Sequence, residues 1–98
     1  MARVKRVIWT LEVTKDLEEI FRFIAEKSPV SASRTIEAII EAAENLSFSE
    51  QYQADEYNPK YRRLIVSHYK LVYKILNDEL VILRAFDTRI DPSRQEVN

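Results

Sequence analysis

The chain has 98 residues, 16 acidic and 15 basic side chains for a net charge of −1, no glycine, no cysteine and one histidine. These counts exclude a Gly-rich phosphate loop, a dinucleotide fingerprint, a thiolate zinc site, a cysteine nucleophile and a paired-histidine metal motif. The balanced charge argues against a general nucleic-acid binder, and a hydrophobic content of 46% fits one globular domain over residues 1–98. No cofactor or metal is expected. No apolar run approaches the roughly 20 residues of a membrane span and no signal-peptide core follows Met1, so the expected location is the cytoplasm.

Val4 to Trp9 is β-branched and aromatic and reads as a first strand. Thr10 or Thr14 then caps a helix over Leu11–Lys27. Its apolar stripe is Val13, Leu17, Ile20, Phe21 and Ile24, with Glu18 and Arg22 paired one turn apart on the wet side. Phe23 lies off that stripe and marks either a hairpin contact or a partner surface. Ser28-Pro29 punctuates the chain, with Ser28 as N-cap and Pro29 as first residue of a second helix to about Leu46. Its stripe is Ala32, Ile36, Ile39, Ile40, Ala43 and Leu46. The two helices are expected to form an antiparallel hairpin packed on a sheet.

Ser47 to Asn58 is a polar connector pinned by Phe48, Tyr52 and Tyr57. Three strands follow, over Tyr61–Ser67, Tyr69–Leu76 and Leu80–Phe86. A tight turn at Ser67-His68 opposes Val66 to Tyr69, Leu64 to Leu71 and Arg62 to Tyr73. Leu64, Val66, Leu71, Tyr73 and Ile75 then lie under the helices. Arg63, Ile65, Lys70, Val72 and Lys74 then fall on the outer face. The turn at Asn77-Asp78-Glu79 sets the last register. A two-residue turn sends Ile82 and Arg84 inward. A three-residue turn sends Val81, Leu83 and Ala85 inward, and is favoured because it leaves no buried, unpaired guanidinium.

Charge is unevenly spread. No acid occurs between Tyr57 and Asn77, where Lys60, Arg62, Arg63, Lys70 and Lys74 are all basic. Such a stretch is either a water-facing sheet surface or a binding patch.

Strand, helical hairpin and meander, in that order, resemble the RelE/ParE toxin superfamily, and its ParE-like branch in particular. The likeness is carried by IWTLEVTKDLEEIFRFI (8–24), KSPVSASRTIEAIIEAAENL (27–46), YRRLIVSHYKLVYKI (61–75) and VILRAFDTRIDP (81–92). The resemblance implies an α+β fold: an N-terminal strand, an antiparallel helical hairpin, and an antiparallel or mixed sheet completed by the C-terminal meander. It also implies a bacterial type II, plasmid-stabilisation-like toxin neutralised by direct binding of a cognate antitoxin.

Members of the superfamily divide between two activities. RelE-like toxins cut messenger RNA on the ribosome without a metal; ParE-like toxins poison DNA gyrase. RNA cleavage needs groups that activate the ribose hydroxyl, stabilise charge on the phosphorane and protonate the leaving oxygen. Arg63, Lys70, Arg84 and His68 are the candidates for such roles. However, the tail after Phe86 has neither tyrosine nor histidine, and His68 falls in a solvated turn. The expectation is therefore a gyrase inhibitor acting by protein binding, through Arg62, Arg63, Lys70, Arg84 and Arg89. Phe23 is the candidate antitoxin contact, with the antitoxin adding a helix or a strand. A ribosome-dependent endoribonuclease and an inactive antitoxin-binding module are the alternatives.

Overall fold

The computed structural model describes residues 3–4, 6–46, 52–90 and 92–97. The chain runs β1 (Arg6–Trp9), α1 (Leu11–Ala25), α2 (Pro29–Glu44), β2 (Arg62–Val66), β3 (Tyr69–Leu76) and β4 (Glu79–Asp87), then a short 3-10 turn at Pro92–Arg94. Thr10 joins strand to helix, and its hydroxyl accepts the Val13 N–H at 3.3 Å. Ser28 caps α2 in the same way, accepting from the Ser31 N–H at 3.1 Å, with Pro29 in the first turn. Both caps satisfy helix-start donors that would otherwise lack a partner.

The sheet order is β1-β4-β3-β2, with β1 parallel to β4 and the meander antiparallel. The α+β architecture is that expected. Val13, Ile39, Ala43, Leu46, Leu64, Leu71, Tyr73, Leu80, Ile82 and Ala85 form the core between hairpin and sheet. Burying this surface away from water is the main force holding the two layers together. Two stripe residues are more exposed than their spacing implies: Phe21 is 37% and Ile40 38% accessible. A four-stranded sheet is too narrow to cover the full width of either stripe. Phe48 lies outside the described residues.

The register of β2 against β3 is that read from the sequence, with Val66 opposite Tyr69 and Arg62 opposite Tyr73. The last turn differs. Leu76 pairs with Glu79, so the turn has two residues, Asn77 and Asp78, not three. Both take left-handed backbone, with φ of 51° and 67°, as a two-residue hairpin of this hand demands. Ile82 accordingly points into the core. Arg84 does not follow it, because the register shifts opposite Val72 and Tyr73 and Leu83 is left without a partner. The bulge reverses the alternation, so Ala85 faces the helices and Arg84 the other side. Sparing a guanidinium from the core is achieved by this bulge and not by the turn.

A second correction concerns the outer face of the sheet. Lys70 and Val72 are fully buried there, not open to water. The connector around Asp55–Asn58 and the C-terminal segment fold across that face. Asn58 Nδ2 donates to Asp55 Oδ2 at 2.8 Å and to the Gln95 carbonyl at 2.9 Å, and its Oδ1 accepts the Val97 N–H at 2.9 Å. No described helix is long and apolar enough to cross a membrane.

Candidate protein-interaction site

β1 pairs with β4 only as far as Trp9 opposite Ile82. Beyond that point the chain leaves the sheet to become α1, and among the described residues no strand lies beside the rest of the β4 edge. Side chains of the helix take over. The Thr10 hydroxyl donates to the Ile82 carbonyl at 2.8 Å. Asp16 Oδ2 accepts the Ala85 N–H at 2.9 Å. The same carboxylate grips Arg84 with both oxygens, Nε to Oδ2 at 2.7 Å and Nη2 to Oδ1 at 3.0 Å. The hydrogen bonds that Arg84 donates to Asp16, opposed by burial, raise the Arg84 pKa. Its guanidinium also lies 5.0 Å from the centre of the Phe86 ring.

A groove of about 490 Å³ lies between α1 and this edge. Ile20 and Phe23 form its helical wall, Ala85 and Phe86 its floor, and Ile90 and Arg94 its far end. Phe23 is 68% exposed, and the groove beside it is lined by apolar Ile20, Ala85, Phe86 and Ile90 together with charged Asp16, Glu19, Arg84, Asp87 and Arg94. Of the groove residues, only Phe23 and Arg84 were visible in the sequence as candidates. Asp16 sits among the charged residues of a wet helix face, and no spacing rule distinguishes it there.

The basic candidates are each engaged within the chain. Arg62 Nη1 donates to the Tyr52 carbonyl at 2.6 Å. Arg63 reaches Gln53 Oε1 at 3.4 Å and Glu56 at 3.7 Å. Arg89 is held by Asp87, Nε to Oδ1 at 2.9 Å and Nη2 to Oδ2 at 2.7 Å. That pair lowers the Asp87 pKa and raises that of Arg89. Lys70 Nζ lies 2.7 Å from Asp55 Oδ1, with both side chains inaccessible, and 4.8 Å from the centre of the Tyr57 ring. Burial pushes the Asp55 carboxyl up, but hydrogen bonds from Lys70 and Asn58 and the Lys70 charge together hold it below its ordinary value.

Arg63 and Arg84 flank Val72 from opposite sides on the outer face, so they stand about 10 Å apart across two strand spacings. Lys70 is on the same face but sealed. His68 is exposed in the β2–β3 turn, where its carbonyl accepts the Thr88 N–H at 2.7 Å. These four residues share a sheet but not a cleft. Burial raises the Tyr73 hydroxyl pKa to about 12, too high for proton transfer near neutrality. Among the described residues no group of three acidic or histidine side chains is placed to hold a metal ion.

The family model for the ParE toxin of type II toxin–antitoxin systems, parDE, matches residues 7–92. Among solved structures the fold is similar to a chain of the chromosomal ParDE toxin–antitoxin system from P. aeruginosa, with a TM-score of 0.72 and 17% sequence identity. The similarity covers 88% of this chain and 98% of that one. No curated protein matches the sequence. The family match spans both helices, three whole strands of the sheet and all of β1 but Arg6, and the chain belongs to the ParE toxin family of type II toxin–antitoxin systems.

Proposed function

We propose that this toxin stops growth by binding DNA gyrase, that it does not cleave RNA, and that a cognate antitoxin neutralises it by direct contact. The observation that carries this reading is the state of its cations. Lys70, Arg84 and Arg89 are each held by an acidic side chain of the same chain, and Lys70 is sealed from solvent. Stabilising a phosphorane requires positive groups that converge on the reacting phosphate and are free to meet it. The family to which the chain belongs supports the toxin reading, and an antitoxin is the partner such a system supplies.

The test is a pulse-label experiment after brief induction without antitoxin, following thymidine and methionine incorporation together. Thymidine incorporation should fall first. An early collapse of methionine incorporation would overturn the gyrase reading in favour of an RNA-cleaving toxin. Growth and both incorporations continuing unchanged would leave an inactive antitoxin-binding module.

A further inference from the structure

We infer that the connector tip at residues 55–58 and the C-terminal stretch at residues 95–97 form a two-part strap, latched through Asn58, which opens as one unit and turns Lys70 from a sealed ion-pair partner into an accessible cation on the outer face of the sheet. The inference goes beyond the gyrase reading and does not rest on it, since opening is measured without any partner.

The base of the connector is fixed to the sheet edge. Arg63 N–H donates to the Gln53 carbonyl and Asp55 N–H to the Tyr61 carbonyl, each at 2.9 Å, and Ala54 pairs with Arg62. The tip that follows reaches across to β3, where Asp55 Oδ1 meets Lys70 Nζ at 2.7 Å. Asp55 Oδ2 accepts the Asn58 backbone N–H at 3.0 Å and its Nδ2 at 2.8 Å. The second of these bonds fixes which way the Asn58 amide points. Its other Nδ2 hydrogen goes to the Gln95 carbonyl, and its Oδ1 receives the Val97 N–H. The Asn58 side chain is thus shared between connector and tail, and its hydrogen-bonding groups are engaged on both sides. A continuous line of polar contacts runs from Lys70 through Asp55 and Asn58 to Val97.

Burial makes the two halves depend on each other. Asn58 is 7% accessible and Gln95 2%. Withdrawing the tail leaves buried Asn58 atoms without partners, which costs more than the bonds themselves are worth. Water can replace those partners only where the tip lifts from β3. Lifting the tip exposes little apolar surface, since Tyr57 is already 41% exposed, so the opening falls at the low end of local unfolding. The core side of the sheet is untouched. Closed, the tip carries Asp55 onto Lys70 and Glu56 to 3.7 Å from Arg63; open, it withdraws both carboxylates together. The strap is a charge switch for that face.

The experiment acetylates the amines of the full-length toxin with an N-hydroxysuccinimide ester and reads each lysine by peptide mass spectrometry. Lys74, exposed on the same strand, is the internal reference. In the wild type Lys70 should react roughly a hundredfold more slowly than Lys74. Val97→Pro removes the N–H that Asn58 Oδ1 accepts and should raise the Lys70 rate about tenfold with Lys74 unchanged. Asn58→Ala loses the contacts to both halves and should raise it further. In Val97→Pro the Asn58 backbone amide should exchange faster by the same factor as Lys70, as one opening unit demands, while the Leu71 amide of the core stays as slow as before. An unchanged Lys70 rate in Val97→Pro would mean that the tip closes without the tail, and would overturn the strap. A Leu71 amide that speeds up together with Lys70 would mean that the whole fold opens, and would overturn it equally. Lys70 as reactive as Lys74 in the wild type would remove the closed state. Val97→Pro, at a half-buried position near the chain end, decides the matter even where Asn58→Ala does not fold.

Discussion

Lys70 and Asp55 meet at 2.7 Å with neither side chain reaching solvent. One comes from the middle strand pair of the sheet and the other from the connector that covers it. Removing one partner leaves an uncompensated buried charge, which costs about 3–5 kcal/mol. Lys70→Met should therefore destabilise the toxin by that amount in urea unfolding. Combining it with Asp55→Asn, whose amide oxygen still accepts from Asn58, should recover part of the loss.

The same carboxylate makes stability depend on acid. The Asp55 pKa is below its unfolded value of 3.8. The unfolded chain therefore binds a proton at Asp55 before the folded chain does. Its contribution is fully present above that unfolded value and is lost as pH falls through the lower folded one. Denaturant midpoints measured downward from pH 5 should fall steeply below about pH 4. That slope should be shallower in Asp55→Asn, although Asp87, also shifted down by Arg89, preserves part of it.

At the alkaline end the sign reverses. Burial keeps the Tyr73 hydroxyl neutral up to about 12, above the ordinary tyrosine value of 10.0. The unfolded chain ionises first, so stability is intact below pH 10 and declines between the two values. Tyr73→Phe should flatten that decline. Absorbance titration of the wild type should show one tyrosine ionising late, and that step should be missing from the variant.

Asp16 serves two partners, the Arg84 guanidinium and the Ala85 N–H. Asp16→Asn keeps an oxygen for the amide but loses the charge pairing. Asp16→Ala loses both. The alanine variant should be the less stable by about 1 kcal/mol, the ordinary net contribution of one hydrogen bond. Equal stabilities would mean that Ala85 N–H gains nothing from the carboxylate.

Ser67 holds left-handed backbone, with φ of 55°, in the β2–β3 turn. A residue with a Cβ is strained there by roughly 1–2 kcal/mol, and glycine is not. Ser67→Gly should raise the unfolding free energy by up to about 1 kcal/mol after its greater unfolded-state freedom is subtracted. Asn77→Gly should gain less, since asparagine tolerates this conformation better than serine.

The helical hairpin and the first half of the meander could be read from the sequence because each depends on local chemistry. Ser28-Pro29 caps one helix, Val13, Leu17, Ile20 and Ile24 repeat at helical spacing, and Ser67-His68 sets a register over neighbouring residues. What escaped the sequence depends on distant or aperiodic partners. Lys70 reads as a water-facing strand residue until Asp55 and Tyr57 arrive from a connector with no periodicity. The bulge at Leu83 answers to the end of β1 and to Asp16, both more than sixty positions away in the chain. Arg84 and Arg89 read as free cations because counting charge does not reveal that each is paired with a carboxylate of the same chain.

The parallel pairing of β1 with β4 also sets when the molecule can exist. Thr10 and Ile82 are joined by a hydrogen bond across 72 positions of sequence. Contacts of such separation close late, after the loop entropy between them has been lost. During synthesis the hairpin emerges first, but β1 and the inner face of α1 wait for β4 to leave the ribosome. Core residues Leu80, Ile82 and Ala85 all arrive with that strand. A chain interrupted before β4 therefore lacks both the sheet neighbour of β1 and the floor of the groove. Toxicity should therefore appear only once β4 has been made, which separates the synthesis of the hairpin from the appearance of an active fold.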